Sequence, residues 1–458
     1  MSKHKPILQA LLALLRGFTY TSLLAAFVLL LSITNPHLLR VNRTTGIMLS
    51  SFVVLLIVFM RIYGGFHIGQ QKSRPIIYQM SLSVLMTDII VFLQLQVMNV
   101  NAANNDHLEL LNADTLLLFA ALAVQILSIT ACTYLGNYLY FCLHPPEKCC
   151  VITGSPQDQE MICSKIRIFH KQFVICDCID YRDHDLHQKI RKNQTIMLFH
   201  LPPKVHQELI EYCYKCQKNI YFDLSIADIL SQHSGSFLLD DVLMTAHTLH
   251  GLTVTQRFFK RTMDICASLI GLIVASPIML VAAIAIKLDD GGPVLYTQNR
   301  LTRGAKIFKI YKFRTMREEA HAQEYSAVQD DARITRPGKI LRRLRIDELP
   351  QLINILKGEM SLVGPRPEML PNVDRYLSEL PEYAYRCRVK AGLTGYAQIL
   401  GKYNTGPREK LMMDISYIEN YSLWLDVKLI LKTLTVFFKH DSTEPFVSAE
   451  IQSKDEVS

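Results

Sequence analysis

Two adjacent carboxylates, Asp347 and Glu348, are the residues in this chain best suited to chemistry. A basic run at 342–345 precedes them, and an apolar segment after them leads to a rigid Pro-Arg-Pro turn at 365–367. Cations around an acidic pair suit a site that handles phosphates and a divalent metal. We therefore expect 345–367 to form an active site that acts on phosphates.

The two acids can have separate tasks. On a helix, adjacent side chains point about 100° apart, so one carboxylate can act on phosphorus while the other binds Mg²⁺. Phosphoryl transfer also needs charge neutralisation, for which four cations are candidates: Lys312, Arg314, Arg342 and Arg366. The alternative is a solvated helix face with ordinary ion pairs. Charge runs are common, so composition alone favours that alternative.

Length and composition indicate a membrane protein of about three domains. The chain has 458 residues, 50% of them hydrophobic, and the apolar residues are concentrated in blocks. Its formal net charge of +8 suits an anionic membrane surface or a phosphate-rich substrate. No module combines aromatic and basic residues, so we expect no nucleic-acid partner.

Eleven cysteines are scattered along the chain, mostly in segments that we place in the cytosol, where thiols stay reduced. The pairs Cys213-x-x-Cys216 and Cys176-x-Cys178 have spacings that also occur at zinc sites, but no second ligand pair has a matching spacing. Reduced, buried thiols are the favoured interpretation.

Four apolar blocks near the N-terminus predict a transmembrane domain, 1–140. Each is close to the ~20 residues that a helix needs to cross a bilayer: 18–33, 47–63, 80–98 and 116–135. The first lacks a small-residue cleavage site, so we expect a retained helix and not a signal peptide. The loop charges indicate cytoplasmic ends for this domain, although Arg40 and Arg43 point the other way. Asp88 is expected to face the bundle interior, with a conduction path as the alternative.

The segment 141–250 predicts a small Rossmann-like domain with a parallel sheet. Short apolar runs alternate with polar helical stretches, in the order strand 149–153, helix 158–169, strand 173–179, helix 183–192, strand 195–200, helix 204–218 and strand 220–224. The first turn, Thr153-Gly154-Ser155-Pro156, has one glycine in place of the Gly-x-Gly-x-x-Gly fingerprint. We therefore expect a scaffold or regulatory module.

A fifth apolar stretch, 265–287, is long enough to span a bilayer. Basic residues flank it at 260–261 and at Lys287, which indicates that both ends are cytoplasmic. Ser276 and Pro277 lie at its middle, where proline removes a backbone hydrogen bond and serine can bond the freed carbonyl. These residues favour a broken, re-entrant helix over a spanning one.

The remaining segments predict a catalytic domain, 251–440, that begins with a linker at 251–260. We expect strands at 294–298 and 307–313, a surface helix and loop at 318–331, and a helix from 340 into the acidic pair. The segment 424–440 is amphipathic, with Asp426 on its polar side, and it lies in the membrane interface or packs on the core. The tail, 441–458, is expected to be disordered.

A series of ordered motifs runs through this domain: Lys260-Arg261-x-x-Asp264, Ser276-Pro277, Gly292-Pro293-Val294 with Gln298-x-Arg300, Lys312-Phe313-Arg314-Thr315-Met316, Asp347-Glu348-Leu349-Pro350-Gln351, Met360-Ser361-Leu362-Val363-Gly364-Pro365-Arg366-Pro367 and Gly392-Leu393-Thr394-Gly395-Tyr396-Ala397-Gln398. Together they resemble the bacterial sugar transferase family, the polyprenyl-phosphate sugar phosphotransferases. With its N-terminal helices and Rossmann-like domain, the whole chain resembles the large polytopic members that start capsule, exopolysaccharide or O-antigen assembly.

The resemblance implies an activity and a location. The enzyme would take a UDP-sugar and undecaprenyl phosphate and make undecaprenyl-diphosphate-sugar and UMP. The expected fold is that of a membrane α + α/β protein with a four-helix transmembrane bundle, a cytosolic Rossmann-like domain and a monotopic catalytic domain. It would lie in the bacterial cytoplasmic membrane, among membrane lipids, with catalysis on the cytosolic face. Partnership with a second copy or with downstream glycosyltransferases stays open.

The resemblance also implies residue roles. Asp347 would be the nucleophile on the sugar-bearing phosphorus, giving an aspartyl-phosphosugar intermediate, and Glu348 would hold Mg²⁺. Arg366 would hold the nucleotide or phosphate. Further substrate-binding positions are Lys312, Arg314, Arg342 and Asp414, and Ser276-Pro277 would be the kink of the re-entrant helix.

Departures from the family pattern occur at Leu301-Thr302, Lys390-Ala391-Gly392, Tyr396 and Leu400-Gly401-Lys402. We expect these positions to lie away from the acidic pair, so they leave the sugar open among glucose, galactose and N-acetylated sugars. Two alternatives to the covalent mechanism also stay open. Asp347 could be a base or metal ligand in direct displacement, or the chain could be a membrane scaffold without enzymatic activity.

Overall fold

The computed structural model describes residues 5–69, 71–98, 112–232, 234–247, 251–317, 333–401 and 405–435. The chain divides into two compact units, residues 1–223 and 224–458. The first unit contains the predicted transmembrane helices and parallel sheet, and the second contains the acidic pair. The expected surface helix at 318–331, the residues 436–440 and the tail 441–458 lie outside the described residues.

Four long helices open the first unit: α1 (Lys5–Leu31), α2 (Arg43–Tyr63), α3 (Ser73–Val97) and α4 (Asn112–Leu143). They overlap the four predicted blocks, and each is long and apolar enough to cross a membrane. α1 packs against α4, and α3 packs against α2 and α4, around a core that includes Phe27, Phe52 and Met80. Asp88 is buried and accepts a hydrogen bond from Gln125 Nε2 at 3.3 Å, so it faces the bundle interior as expected.

The predicted parallel sheet is confirmed. Its strands are β1 (Glu147–Thr153), β2 (Phe173–Asp180), β3 (Thr195–Phe199) and β4 (Asn219–Phe222), in the order β2-β1-β3-β4. Helices α5 (Pro156–Arg167), α6 (Leu186–Lys192) and α7 (Pro203–Lys215) connect them. Alternate residues of β1 enter two separate cores: Cys150 and Ile152 pack with Leu209, and Cys149 and Val151 pack with Ile166. Such alternation is the consequence of helices on both faces of the sheet.

The cysteines are all free thiols. Cys213 is buried on α7, as expected, but Cys176 is exposed. The prediction of a buried thiol is wrong at Cys176, which lies at a register shift of the edge strand β2: Cys149 pairs with Ile175 and Cys150 with Asp177, so Cys176 has no partner residue on β1. Among the described residues, no group of three or more histidine, cysteine or acidic side chains is arranged to hold a metal.

The second unit begins with α8 (Ile226–Gln232) and the hairpin β5 (Gly235–Leu239) and β6 (Val242–Ala246), and continues with α9 (Val254–Asp290). A second hairpin, β7 (Leu295–Leu301) and β8 (Ile307–Phe313), precedes α10 (Arg336–Arg343), α11 (Gln351–Lys357), β9 (Ser361–Val363) and α12 (Leu370–Glu379). The last elements are β10 (Gly392–Thr394), α13 (Tyr396–Leu400), α14 (Pro407–Glu419) and α15 (Leu423–Thr433). α8 lies in the segment expected to end the Rossmann-like domain, but it packs against α14 of the second unit.

α9 differs from its prediction at both its start and its middle. A capping box of Thr253 and Gln256 begins the helix at Val254, so the expected linker 251–260 is mostly helical. The helix then runs for 37 residues through Pro277, and the predicted break into two helices is absent from this described segment. Ser276 Oγ donates to the carbonyl of Ile273 at 2.8 Å. This carbonyl is the one that Pro277 leaves without its usual donor, so the serine replaces part of the lost bonding, as predicted.

Both ends of α9 pack on the same globular core. Near its start, Lys260 Nζ lies 2.6 Å from Asp426 Oδ2, and both side chains are buried. One turn later, Asp264 Oδ1 accepts the amide of Leu362 at 3.0 Å. Near its end, Ile286 packs with Phe313 in another part of that core. The helix therefore lies along the second unit, not away from it.

The position of α15 shows that the described part of 424–440 packs on the core of the unit, which favours this alternative over a helix in the membrane interface. Leu425 and Leu429 are buried in the main core of the unit. Asp426, expected on the polar surface, is buried because it pairs with Lys260. Trp424, expected on the apolar face, is instead 59% exposed.

Candidate active site

The acidic pair lies in a short 3-10 turn, Ile346–Glu348, between α10 and α11. Thr335 caps α10 by accepting a hydrogen bond from the amide of Gly338 at 3.1 Å. After α10 the chain turns at Arg345, whose φ of 55° is left-handed. The expected helix therefore ends before the acids. Successive side chains in a 3-10 turn point about 120° apart, so the two carboxylates still face different directions.

Glu348 is the centre of a cluster of cations. Arg366 Nη2 donates to Glu348 Oε1 at 2.9 Å, and Lys312 Nζ donates to the same oxygen at 3.4 Å. Arg345 Nη1 lies 3.9 Å from Glu348 Oε2. These cations come from the end of β8, the turn after β9 and the acidic turn itself, so the fold brings distant parts of the sequence onto one carboxylate.

The two adjacent acids have opposite pKa shifts. Burial and the neighbouring charge of Glu348 raise the pKa of Asp347 to about 6, despite nearby cations that lower it. Burial alone would also raise the pKa of Glu348, but Arg366, Lys312 and Arg345 outweigh it and hold this pKa well below its usual range. Glu348 is therefore a constant anion at neutral pH, whereas Asp347 titrates close to neutrality.

Backbone hydrogen bonds fix the turn that presents Arg366. The strands β9 and β10 are parallel neighbours, and beyond them the amide of Gly364 donates to Thr394 O at 2.9 Å. In return, the amide of Gly392 donates to Pro365 O at 2.9 Å. The Pro-Arg-Pro turn is thus an extension of a small sheet, which gives the guanidinium a rigid base.

Asp414 lies behind this turn. Its Oδ2 is 2.8 Å from Arg386 Nη2, and both side chains are buried. Arg386 Nη2 also donates to the carbonyl of Arg366 at 2.7 Å. Asp414, predicted as a substrate-binding position, therefore reaches the site through Arg386 and the backbone of Arg366.

The other predicted cations divide into two groups. Arg342 Nε donates to Thr315 Oγ1 at 2.8 Å, and its charge lowers the pKa of Asp347, so it belongs with Lys312 and Arg366 at the site. Arg314 is buried and forms an ion pair with Asp290 at the end of α9. Its contact joins the long helix to β8 and does not reach the acids.

Three residues that the fold brings to the site had no predicted role. Arg345 was only part of a basic run, and Arg386 carried no recognisable signal. Arg300 was part of the Gln298-x-Arg300 motif and had no assigned role, but its charge interacts with both Glu348 and Arg366.

An open pocket borders Arg366. Leu301, Thr302 and Ala391 line it, together with Glu368. The first three are among the departures from the family pattern, which we expected away from the acidic pair. They lie beside the Pro-Arg-Pro turn, and neither Asp347 nor Glu348 lines this pocket.

The donor set fits Mg²⁺. Magnesium is typically bound by one or two carboxylates, with substrate phosphates and water completing an octahedral shell. Asp347 and Glu348 are two hard oxygen donors on one turn, and Glu348 stays ionised beside its cations.

Comparison with known proteins agrees with this geometry. Residues 255–440 match the family described as Bacterial sugar transferase. A UDP-glucose:undecaprenyl-phosphate glucose-1-phosphate transferase of Caulobacter vibrioides is 41% identical over 189 residues, which cover 40% of this chain and 71% of the relative. The chain belongs to the bacterial sugar transferase family. All of the predicted site residues lie in the matched segment, whereas α1–α8 precede it.

Two further relatives of this bacterial sugar transferase share a similar segment. A UDP-N-acetylgalactosamine-undecaprenyl-phosphate N-acetylgalactosaminephosphotransferase of Aeromonas hydrophila is 48% identical over 181 residues, 39% of this chain and 43% of the relative. A UDP-glucose:undecaprenyl-phosphate glucose-1-phosphate transferase of Escherichia coli is 39% identical over 192 residues, 41% of both chains. The chain thus spans less than half the length of these two relatives.

Proposed function

We propose that this protein transfers a sugar-1-phosphate group from a UDP-sugar to undecaprenyl phosphate and releases UMP, as the first membrane step of polysaccharide or capsule assembly. One observation carries the proposal: adjacent carboxylates have opposite electrostatic environments. Glu348 is held as an anion by three cations, and Asp347 has a pKa of about 6 beside it. Family membership and the activities named for the relatives support the same reaction.

In the proposed first step, Asp347 is the nucleophile. A pKa of about 6 leaves roughly nine-tenths of this side chain ionised at pH 7. A carboxylate oxygen bonds to the sugar-bearing phosphorus, the bond from that phosphorus to the bridging oxygen breaks, and UMP departs with the electron pair. Lys312 and Arg366 lie where they can neutralise the charge of the diphosphate.

In the second step, an oxygen of the lipid phosphate bonds to the same phosphorus. The bond from phosphorus to Asp347 breaks, and the carboxylate is regenerated. Glu348 keeps its charge throughout, since its cations hold its pKa low. When bound, Mg²⁺ would withdraw electron density from the diphosphate oxygens, and Asp347 or Glu348 would hold it.

A direct displacement is the second candidate mechanism, and the raised pKa of Asp347 favours it. A carboxyl that titrates near neutrality is suited to general-base catalysis. Intact-protein mass spectrometry after incubation with the UDP-sugar alone separates the two mechanisms. The covalent route predicts a phosphosugar adduct that is absent from Asp347→Asn, whereas direct displacement predicts no adduct on either protein.

The reaction class is tested by the nucleotide product. Purified protein is incubated with undecaprenyl phosphate and a panel of UDP-glucose, UDP-galactose and their N-acetylated forms, and the released nucleotide is identified. We expect UMP with one or more of these sugars, and release of UDP would contradict the proposal. If Asp347→Asn keeps full activity, the assignment of Asp347 is wrong, whereas a wild-type protein that releases no nucleotide would support a scaffold role.

We also propose that α9 is buried in a single leaflet of the membrane, with both of its ends on the cytosolic side. From Lys260 to Ile286 a straight helix extends about 39 Å, more than the ~30 Å of a bilayer core. Yet these residues pack on one globular core, which cannot lie on both sides of a membrane. Between them, Leu269, Ile273 and Val281 expose more than half of their side chains. An exposed apolar face on a helix tied down at both ends suits burial in a single leaflet.

Cysteine labelling tests this arrangement. Single cysteines at Val254 and Leu288, both highly exposed, are introduced after the exposed native cysteines have been replaced. A membrane-impermeant maleimide should label both positions only when it has access to the cytosolic side. Val41, fully exposed between α1 and α2, provides the control for the opposite side. Labelling of Val254 and Leu288 from opposite sides would show that α9 spans the bilayer.

A further inference from the structure

The face of the β7–β8 hairpin that carries Lys312 also carries an arginine without an assigned role. In the antiparallel register, Tyr296 lies opposite Lys312 and Arg300 lies opposite Phe308. Residues two and four apart on a strand share one face, so Tyr296, Arg300 and Lys312 point to the same side. Lys312 contacts Glu348 from that side, which places Arg300 on the active-site face of the hairpin.

Arg300 is held in place, but its hydrogen-bonding capacity is only partly used. Its Nη2 donates to Gln298 Oε1 at 2.7 Å, and a backbone bridge between Arg300 and Met369 ties the strand to the segment after the Pro-Arg-Pro turn. Its Nε is buried and has no hydrogen-bond partner among the residues that the structure describes. Within the same residues, no carboxylate forms an ion pair with its guanidinium.

The nearby charges do not compensate this guanidinium. Burial lowers the pKa of Arg300 to about 10, although Glu368 and Glu348 act against that shift. Both carboxylates have other cations closer to them: Lys410 Nζ lies 3.7 Å from Glu368, and Arg366 lies 2.9 Å from Glu348. A buried donor without a partner is costly, and more so when it is charged. The site therefore has a cationic donor with no anion of its own.

An anion from the substrate would complete this arrangement. The planar guanidinium donates through Nε and one Nη in a fork that matches two oxygens of a phosphate. Gln298 takes up a hydrogen of Nη2, so Nε remains as the donor that the protein does not satisfy. A lysine at this position would supply charge without the fork. The geometry thus suits a phosphate oxygen better than a water molecule or a neutral sugar hydroxyl.

We propose that Arg300 is a substrate-binding residue that donates from its guanidinium to a phosphate oxygen. The inference rests on the proposed phosphosugar transfer and adds a phosphate contact to it. Two sources share this chemistry, namely the diphosphate of the nucleotide and the phosphate of the lipid. Both substrates must bring a phosphate close to Asp347, so the experiment has one arm for each.

The first experiment measures binding without turnover. The full-length protein in lipid nanodiscs is titrated with UDP alone and, separately, with a short-chain polyprenyl phosphate. Arg300→Gln should weaken binding of one of these probes by about 10- to 100-fold, as expected for loss of a charge-assisted hydrogen bond. Weaker UDP binding assigns the contact to the nucleotide, and weaker lipid-phosphate binding assigns it to the lipid. Unchanged binding of both probes overturns the proposal.

Arg303→Gln is the matched control, because Arg303 is an exposed arginine three residues further along the same hairpin. It removes the same charge from the surface and should change neither binding constant by more than about twofold. An equal loss in both variants would mean that Arg300 acts only through net charge, which also overturns the proposal.

Arg300→Lys keeps the inference testable if Arg300→Gln does not fold. Lysine keeps the charge and the aliphatic stem but cannot present the fork. Folded Arg300→Lys should still lose about five- to tenfold in affinity for the same probe, and binding within about twofold of the wild type contradicts the proposal. Binding of UDP or lipid phosphate does not require catalysis. Failure of the wild type to release UMP would therefore refute the proposed function without deciding the role of Arg300.

Discussion

Arg386 donates a hydrogen bond from Nη2 to the backbone carbonyl of Arg366 at 2.7 Å. Arg386 is itself held by a buried ion pair with Asp414, and the side chain of Arg366 donates a hydrogen bond to Glu348. Arg386, which is far from the acidic pair in sequence, thus fixes the position of the turn that carries Arg366. This relationship gives Asp414 a positioning role.

Asp414→Asn should therefore reduce turnover more than stability. Burial raises the pKa of Asp414 to about 6 against the charge of Arg386, so the neutral amide relieves the burial of one charge while it leaves Arg386 without its ionic partner. Lys410→Gln, in the half-buried contact with Glu368 at 3.7 Å, is the control and should cost no more than about 1 kcal/mol. Chemical unfolding and the kcat and KM for the UDP-sugar give the comparison. Recovery of kcat in Asp414→Glu is expected, and a loss equal to that of Asp414→Asn would argue against positioning.

Asp347→Asn should abolish turnover and stabilise the protein at neutral pH. The pKa of Asp347 is raised in the folded state from an ordinary value of 3.8 to about 6. A raised pKa means that the contribution to stability is complete below about 3.8 and is lost as the pH rises through 6. The neutral amide avoids that loss, which is worth about 1–3 kcal/mol at pH 7.5. The free energy of unfolding of the wild type and of Asp347→Asn is measured at pH 7.5 and at pH 5, and the difference between the two proteins should become smaller at pH 5.

The same titration sets the pH dependence of activity. The proposed nucleophile must be ionised, so kcat/KM should fall about tenfold per pH unit below a pKa near 6. Rates measured from pH 5 to pH 8 at constant ionic strength give this profile. A rate that stays constant down to pH 5 would contradict ionised Asp347 as the attacking group.

Glu348→Gln should have the opposite effect on stability, although it changes the adjacent carboxylate. Arg366, Lys312 and Arg345 hold the pKa of Glu348 well below its ordinary value, against the effect of burial. A lowered pKa contributes stability above the unfolded value and loses it as the pH falls through the folded value. At pH 7 the amide leaves three cations without their common anion, so we expect a loss of about 2–4 kcal/mol.

Magnesium activation gives a second measurement on the same variant. If Glu348 holds the metal, the Mg²⁺ concentration for half-maximal rate should rise at least about tenfold in Glu348→Gln. Arg303→Gln is the control, and its Mg²⁺ concentration for half-maximal rate should equal that of the wild type. An unchanged magnesium requirement together with the expected destabilisation would restrict Glu348 to an electrostatic role.

Much of the fold was predictable because local signals and tertiary structure agree. The apolar blocks overlap α1–α4, and alternation of strand and helix patterns gave the parallel sheet. The continuous helix through Pro277 was not predictable. The proline signal is local, whereas Lys260 and Ile286 hold the helix along the core through distant partners. Tertiary packing therefore overrides a local helix-breaking signal.

The site was predictable in its residue types and only partly in its connections. Lys312 and Arg366 contact Glu348, and the charge of Arg342 lowers the pKa of Asp347. Arg314 does not reach the acids, because its partner Asp290 lies at the end of α9, and the sequence carries no signal for that pairing. Arg386 likewise has no pattern of its own, since its importance comes from two contacts that exist only in the folded chain.

Gly364→Ala should displace Arg366 without touching a charged residue. A Cβ at Gly364 would overlap the carbonyl oxygen of Lys390 and would lie 3.0 Å from the amide nitrogen of Gly392. Both are backbone atoms, so neither can move aside as a side chain would. We expect the turn to shift, the 2.9 Å contact between Arg366 and Glu348 to break, and kcat/KM to fall at least about 100-fold.

Gly235→Ala is the control for this substitution, because a Cβ there meets nothing within 4 Å. It should leave both kcat/KM and the unfolding midpoint close to those of the wild type, since surface substitutions of this kind stay within about 0.5 kcal/mol. Wild-type activity in Gly364→Ala would mean that the approach of Gly364 to Gly392 does not determine where Arg366 lies. The turn would then be positioned by the Arg386 hydrogen bond alone, and Asp414→Asn should be the more damaging of the two variants.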